Sequence, residues 1–138
     1  MDKSQAPHPT ICRVAIDTPL RLTFDYRIAP DSEAPALGCR VAVPFGRRQL
    51  VGVAVGLGST SDIDESKLKT ISKILDSVPV FDAPLLQLLR WAADYYHHPI
   101  GEVIAAALPK LMREGASLVS HTECWRATDA GTAALGAG

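Results

Sequence analysis

The chain has 138 residues, of which 47% are hydrophobic, 21% charged and 6% aromatic, a length that suits one domain with its own core and part of a second. Its 14 Lys and Arg oppose 15 Asp and Glu for a formal charge of -1. That balance excludes a polybasic protein that coats duplex nucleic acid or a membrane surface, and leaves room only for local nucleic-acid contacts. Apolar runs break at Gly, Pro or charge well short of the ~18 residues of a membrane span, and the N-terminus lacks the apolar stretch of a signal peptide, so a soluble, cytoplasmic protein is expected.

Residues 1–10 (MDKSQAPHPT) are polar and carry two prolines without periodicity, as in a disordered leader. ICRVAI (11–16) is a short β-rich run. RLTFDYRI (21–28) alternates strictly, with Leu22, Phe24, Tyr26 and Ile28 on one face and Arg21, Thr23, Asp25 and Arg27 on the other. CRVAVPF (39–45) reads as another strand that turns through Gly46-Arg47-Arg48 into LVGVAVGL (50–57), a hairpin. In its second arm Val51, Val53, Val55 and Leu57 form a bulky face, and Gly52, Ala54 and Gly56 leave the opposite face bare for close approach. LKTISKILDSVPVF (68–81) is ambiguous by period and is expected to add a strand through Ile71 and Ile74.

The period then becomes helical. Asp82 is placed as an N-cap with Pro84 in the first turn, and Leu85, Leu88, Leu89, Ala92, Tyr95 and Tyr96 form a stripe expected to face a core. This helix should stop near His98, before Pro99. A second helix is expected from about Ile100 to Ala107, ending at Leu108-Pro109 and closing the first domain near residue 112. Beyond Arg113-Glu114-Gly115 the residues are small and polar, too poor to build a core, so the chain reads as one part of a longer polypeptide. The fold class expected is α+β: a small curved antiparallel sheet or barrel with two C-terminal helices packed on it.

Little in this pattern supports catalysis. There is no G-x-x-x-x-G-K-[ST] loop to cradle phosphates and no nucleophile elbow around a serine. Gly52, Gly56 and Gly58 lie in a β run with no helix N-terminus behind them, which marks small residues on a crowded strand. Cys12, Cys39 and Cys124 are widely separated and form no Cys-x-x-Cys pair, so they read as reduced and structural. His97 and His98 are adjacent, and neighbours in a helix diverge by about 100°, a poor chelating pair. His8 and His121 stand apart from them, and no metal site is expected.

One constellation invites a binding role. Asp25 lies between the rings of Phe24 and Tyr26, and the hairpin puts Phe45, Gly46, Arg47 and Arg48 at a tip. Aromatic rings, a few cations and a bare glycine are the elements of a single-stranded nucleic-acid pocket. Periodicity equally allows Phe24 and Tyr26 to be core beside Leu22 and Ile28, with Asp25 in solvent. The helix segment WAADYYHH (91–98) carries rings that either stack on bases or, by their helical spacing, pack in a core or interface.

PLRLTFDY (19–26), GCRVAVPFGRRQLVGVAVGL (38–57), LKTISKILD (68–76) and VFDAPLLQLLRWAADYYHHPIGEVIAAALP (80–109) together resemble the N-terminal 3′-DNA-binding domain of the primosomal protein N′ (PriA) family of replication-restart helicases. The likeness runs over roughly residues 11–128, with WAADYYHHPIGEV the most distinctive stretch. It implies a module that captures the 3′-OH end of the nascent leading strand at a stalled fork, with DNA as partner. CWRATDAG (124–131) resembles the opening of the winged-helix domain that follows in the family, so residues 113–138 are expected to be a linker and the start of that domain. The family's ATP-dependent 3′-to-5′ helicase lobes and zinc-binding cysteines have no counterpart in this sequence. The chain itself is therefore expected to be no enzyme and to hold no cofactor, ATP and zinc belonging to the absent domains. Primosome proteins and the single-stranded DNA-binding protein are implied as partners of the longer family members, at nucleoid-associated forks in bacteria.

By the same resemblance the terminal-nucleotide pocket falls on Phe24, Asp25, Tyr26, Gly46 and Lys69, with Arg47 and Arg48 as possible phosphate contacts. The tip Arg47-Arg48-Gln49-Leu50 is shorter than in some members. A carboxylate repels backbone phosphate, but at a 3′ terminus, where no terminal phosphate exists, it can accept hydrogen bonds from a sugar hydroxyl or a base edge. The rival reading is a protein-docking or scaffold fragment of the primosome, held through the helix of Trp91, Tyr95 and Tyr96, without direct DNA binding.

Overall fold

A computed structural model describes residues 8–119 and 122–136; most of the expected leader, and His121, lie outside the described residues. In chain order the elements are β1 (Ile11–Ile16), β2 (Phe24–Arg27), β3 (Arg40–Phe45), β4 (Arg48–Gly58), β5 (Lys73–Ile74), α1 (Ala83–Tyr95), α2 (Ile100–Ala106), α3 (Lys110–Arg113) and α4 (Asp129–Leu135). The strands form one antiparallel sheet in the order β2-β1-β4-β3-β5. This is the expected α+β class, as an open sheet and not a closed barrel. The two ends of the curl still meet: the Arg27 amide donates to Lys69 O at 2.8 Å and the Ile71 amide to Arg27 O at 3.0 Å, so the segment ahead of β5 lies against β2.

Strand alternation sorts the sheet into two faces. Inside the curl, Cys12, Val14 and Ile16 of β1 pack with Tyr26, Ile28, Val41, Val43 and Ala54, and Phe24, Phe45, Ile71 and Ile74 border them. On the other face Ala15, Val53 and Val55 meet Phe81, Leu86, Leu89, Ile104 and Leu108 from the helices. The bare face of β4 allows the approach expected of it: a Cβ on Gly52 would lie 2.4 Å from Val14 Cγ1. Gly101 brings α2 equally close to β1, since a Cβ there would sit on the Ile16 carbonyl oxygen.

Several expectations need correction. The strand read over 21–28 is paired only from Phe24 to Arg27, and Leu22 is exposed. Ahead of it the Arg21 guanidinium is drawn away to the His97 carbonyl at the end of α1. The strand through Ile71 and Ile74 shrinks to the two residues of β5, although both isoleucines pack against the core as expected. Asp82 caps α1, accepting from the Leu85 amide at 2.9 Å, and α2 matches its expected span to within a residue. The buried stripe of α1, however, is Leu86, Leu89 and Ala93. Leu85, Leu88, Tyr95 and Tyr96 of the expected stripe face solvent. Two apolar stripes run side by side on this helix, and the covered one packs on Ala15, Val53, Val55 and Phe81, with the Arg90 guanidinium donating to the Val55 carbonyl of β4 alongside. Two short helices were not anticipated, α3 behind Pro109 and α4 behind the Thr128 cap, and α4 buries no side chain.

The most demanding interaction is ionic. Arg40 and Asp76, with side chains 1% and 2% exposed, form a fork: Arg40 Nε donates to Asp76 Oδ2 at 2.8 Å and Nη2 to Oδ1 at 2.7 Å. The Arg40 amide donates to Oδ2, and Nη1 donates to the carbonyls of Met112 and Ala116. Every side-chain nitrogen of the arginine is thus used, which is the condition under which a buried pair is tolerated. Packed structure thereby continues to Ala116. Burial acts to raise the Asp76 pKa, but hydrogen bonds from the Arg40 side chain and amide, together with its charge, outweigh it and hold the carboxyl below the ordinary carboxylate range.

Because the folded carboxyl is the more acidic one, the stability it contributes is complete above about pH 4 and is lost as pH falls through the depressed folded value. Asp76→Asn, which leaves Arg40 buried and uncompensated, should cost about 3–5 kcal/mol at neutral pH. Urea unfolding at neutral and acid pH should show that the gap between parent and variant narrows only below about pH 4.

Candidate nucleic-acid interface

β2 is an edge strand, and its four residues divide between the two faces. Phe24 turns into the curl and meets Phe45 edge-to-face, with ring centroids 5.0 Å apart. Tyr26, 4% exposed, is core, and its hydroxyl donates to Pro44 O at 2.9 Å. Burial raises its pKa. Tyr26 is thus buried structure, as the core reading of this pair expected, and Phe24 is a half-buried ring at the border of the core.

Asp25 points the other way. Its Oδ2 accepts from Ser61 Oγ at 2.6 Å, and its Oδ1 lies 3.7 Å from Arg13 Nε, a loose pair beyond hydrogen-bond length. Arg13 is the cross-strand partner of Asp25 in β1, which explains why the two side chains share a face. Neither Ser61 nor Arg13 was singled out from sequence. Arg13 had a signal, a cation interrupting the apolar run of β1, whereas Ser61 is one of many polar residues in a loop. Beneath them the Cys12 thiol is pushed up to about 12 by burial and, secondarily, by Asp25. A thiol held so far from ionisation is unreactive.

The hairpin tip joins the same edge. Phe45 and Arg48 are opposed across the two-residue turn Gly46-Arg47, and directly opposed residues share a face, so Arg48 rises on the side of the Phe24–Phe45 pair. Gly46 has φ 59° while Arg47 has negative φ, as in a type II′ turn with glycine at its first central position. Lys69 reaches the tip, its Nζ 3.4 Å from the Gly46 carbonyl oxygen. Phe24, Gly46, Lys69 and Arg48 are thus gathered at one rim. Asp25 stands on the reverse face of the same edge strand, and Arg47 sits in the exposed turn. Among the described residues there is no group of three or more His, Cys, Asp or Glu placed to hold a metal ion.

The α1 aromatics are also exposed. Trp91 and Tyr95 stack at 5.0 Å, and Tyr95 meets Tyr96 edge-to-face at 4.9 Å, on the side of the helix turned away from the sheet.

An open antiparallel sheet with rings and cations gathered along one edge, backed by helices, is a small α+β module. Residues 13–109 match the family model described as the 3′DNA-binding domain (3′BD) of PriA, and the chain belongs to that family. It is 42% identical over 126 residues to the replication restart protein PriA of Haemophilus influenzae, an alignment covering 91% of this chain and 17% of that protein. It is 32% identical to the protein of the same name from Treponema pallidum, covering 80% of this chain and 18% of that protein. Against the Bacillus subtilis protein it is 36% identical, covering 51% and 9%. The chain therefore spans less than a fifth of the length of these relatives.

A Cβ on Gly46 would meet nothing within 4 Å, so the cost of Gly46→Ala is conformational and not steric. It should destabilise the fold by about 1–2 kcal/mol, read as a shift in the urea midpoint with unchanged slope.

Proposed function

We propose that this chain is the part of a replication-restart protein that captures the 3′-OH end of a nascent DNA strand at a stalled fork. The observation that carries the reading is the state of Asp25. It is an acceptor-only group on an edge strand, with Oδ2 engaged by Ser61 and Oδ1 accepting no hydrogen bond among the described residues. A terminal hydroxyl, or a base edge bearing N–H, satisfies Oδ1; a terminal phosphate brings negative charge against it. Phe24 offers a ring for the last base, and Lys69, Arg48 and Arg47 offer attraction to the preceding phosphates. Gly46 keeps the tip free of a side chain where the strand passes. Support for DNA as the ligand comes from the family to which the chain belongs.

In this reading residues 11–112 are the end-binding unit. Residues 113–138 are a linker and the opening of a winged-helix domain, whose first helical turns bury nothing on the rest of the chain. ATP hydrolysis and strand separation belong to other parts of the longer protein. The working place is the replication fork, in the nucleoid of a bacterial cytoplasm. Among the described residues no helix is long and apolar enough to cross a membrane.

A second role is favoured by one observation, the exposed ladder of Trp91, Tyr95 and Tyr96 beside Leu88. Contiguous aromatic surface of this kind marks docking sites. We propose it as a landing place for another part of the restart protein, for a primosome protein or for the single-stranded DNA-binding protein.

Fluorescence anisotropy with a short single strand ending in 3′-OH, against the same strand ending in 3′-phosphate, tests end capture. The parent should prefer the hydroxyl, and Asp25→Asn should reduce that preference by about tenfold, the worth of one charge-assisted hydrogen bond. Equal binding of both strands by the parent defeats the reading. For the second role, Trp91→Ala should change unfolding free energy by less than about 0.5 kcal/mol, as expected of a surface side chain. A loss above about 2 kcal/mol would place Trp91 in a core and remove the docking surface.

A further inference from the structure

Behind the β2 edge, on the face opposite Phe24, an open cleft of about 350 Å³ separates the sheet from α1 and is lined by Arg13, Thr23, Gly56, Arg90 and Asp94 among others. Its two guanidinium groups have donors to spare. Arg13 makes only the 3.7 Å approach to Asp25, and no hydrogen bond from its side chain is formed among the described residues. Arg90 uses one nitrogen on the Val55 carbonyl. Asp94 lies one helical turn beyond Arg90, the usual spacing for an ion pair, yet among the described residues no ion pair joins them. The Arg90 head is instead turned toward the sheet, where Arg13 projects.

The backbone is shaped to permit this. Gly56 is the cross-strand partner of Arg13 in β4, and a Cβ on it would come within 3.3 Å of both Cβ and Cδ of Arg13. The bare glycine therefore leaves room for the arginine stem beside β4, at the cleft that Arg90 lines from α1. Two cations and the Thr23 hydroxyl border one opening. Of the two carboxylates in reach, Asp25 approaches Arg13 no closer than 3.7 Å, and among the described residues Asp94 forms no ion pair with either guanidinium. Planar forks with free N–H groups around an open cleft match a phosphate oxygen better than any neutral ligand.

We propose that Arg13 and Arg90 form a seat for one backbone phosphate of the single-stranded DNA whose 3′ end is held at β2. The inference rests on the end-capture reading, and it adds a path: beyond the first phosphate, which the hairpin cations attract, the strand turns over the helix side of the sheet. Arg13 is the hinge of that path, since it touches the end-reading carboxylate on one side and the cleft on the other. A strand long enough to reach the cleft gains the contact, and a dinucleotide does not.

The full chain is titrated by anisotropy with 5′-labelled dinucleotide and decanucleotide strands, each ending in 3′-OH or 3′-phosphate, between about 25 and about 200 mM salt. Arg13→Gln/Arg90→Gln should weaken decanucleotide binding about fivefold and flatten the salt slope by about 0.7, the value for one phosphate on a single strand. In Arg90→Gln alone, which leaves the Arg13–Asp25 approach intact, dinucleotide affinity and the hydroxyl preference should not change. Arg90→Lys, which keeps the charge, should retain most of the parent slope, a result that mere loss of packing at Arg90 would not give. Decanucleotide affinity and slope unchanged in the double variant would overturn the seat while leaving end capture standing. A parent with no hydroxyl preference would overturn end capture, and the seat with it.

Discussion

The Arg40–Asp76 pair is the constraint on which the remaining geometry hangs. Two charges with almost no solvent access survive only because each has its hydrogen bonds supplied by protein. The pair does not stabilise one local feature but ties three: the start of β3, the chain just after β5, and the carbonyls at the end of α3. The Leu75 amide donates to the Arg40 carbonyl in the same place, so β5 is seated where the ion pair holds it. Once β5 is seated, residues 69–71 run back to β2 and Lys69 arrives at the Gly46 carbonyl. The β2 edge and the hairpin rim are thus brought together by a group that touches neither.

A period of two residues shapes the edge itself. Phe24 and Tyr26 go to the inside of the curl and Asp25 to the helix side, so no single face of the sheet carries all three. On an interior strand that division would keep an aromatic surface and a carboxylate apart. β2 is an edge strand whose outer side is met by residues 69–71 at Arg27, and at Phe24 and Asp25 both sides of it border the edge. In the end-capture reading we propose, a carboxylate and an aromatic ring can thus meet one nucleotide from the two sides of the strand.

Much of this was legible in the residues. The hairpin from Arg40 to Gly58 follows from two β-rich runs around a glycine turn, and α1 from its cap at Asp82 and its period. The small face of β4 anticipated the close packing at Gly52. Misreadings fall where local pattern leaves two answers. α1 carries two apolar stripes about 100° apart, Leu86-Leu89-Ala93 and Leu85-Leu88-Tyr95, and a period cannot say which one meets a partner. The long alternation of 21–28 is a strand only where a neighbour exists to pair with it, and Arg21 is drawn off to α1. The candidate pocket followed from resemblance to a family; of the residues around Asp25, Ser61 carried no signal and Arg13 only that of a cation in an apolar run, because their contacts come from a partner on another segment.

By itself, then, the sequence determined what depends on neighbours along the chain: element types, the turn at Gly46-Arg47, the cap of α1, and the near-neutral charge that confines nucleic-acid contacts to a few residues. Family membership was also written in it, through the order of its segments. Tertiary structure decided what depends on which surfaces meet. It chose the covered stripe of α1 and left Trp91, Tyr95 and Tyr96 in solvent. It cut β5 to two residues and put Asp25 behind Phe24 with Ser61 and Arg13 around it. The physical reason is the same in each case, because burial and pairing are gained between segments 35 to 72 residues apart, and no local pattern encodes the distance between them.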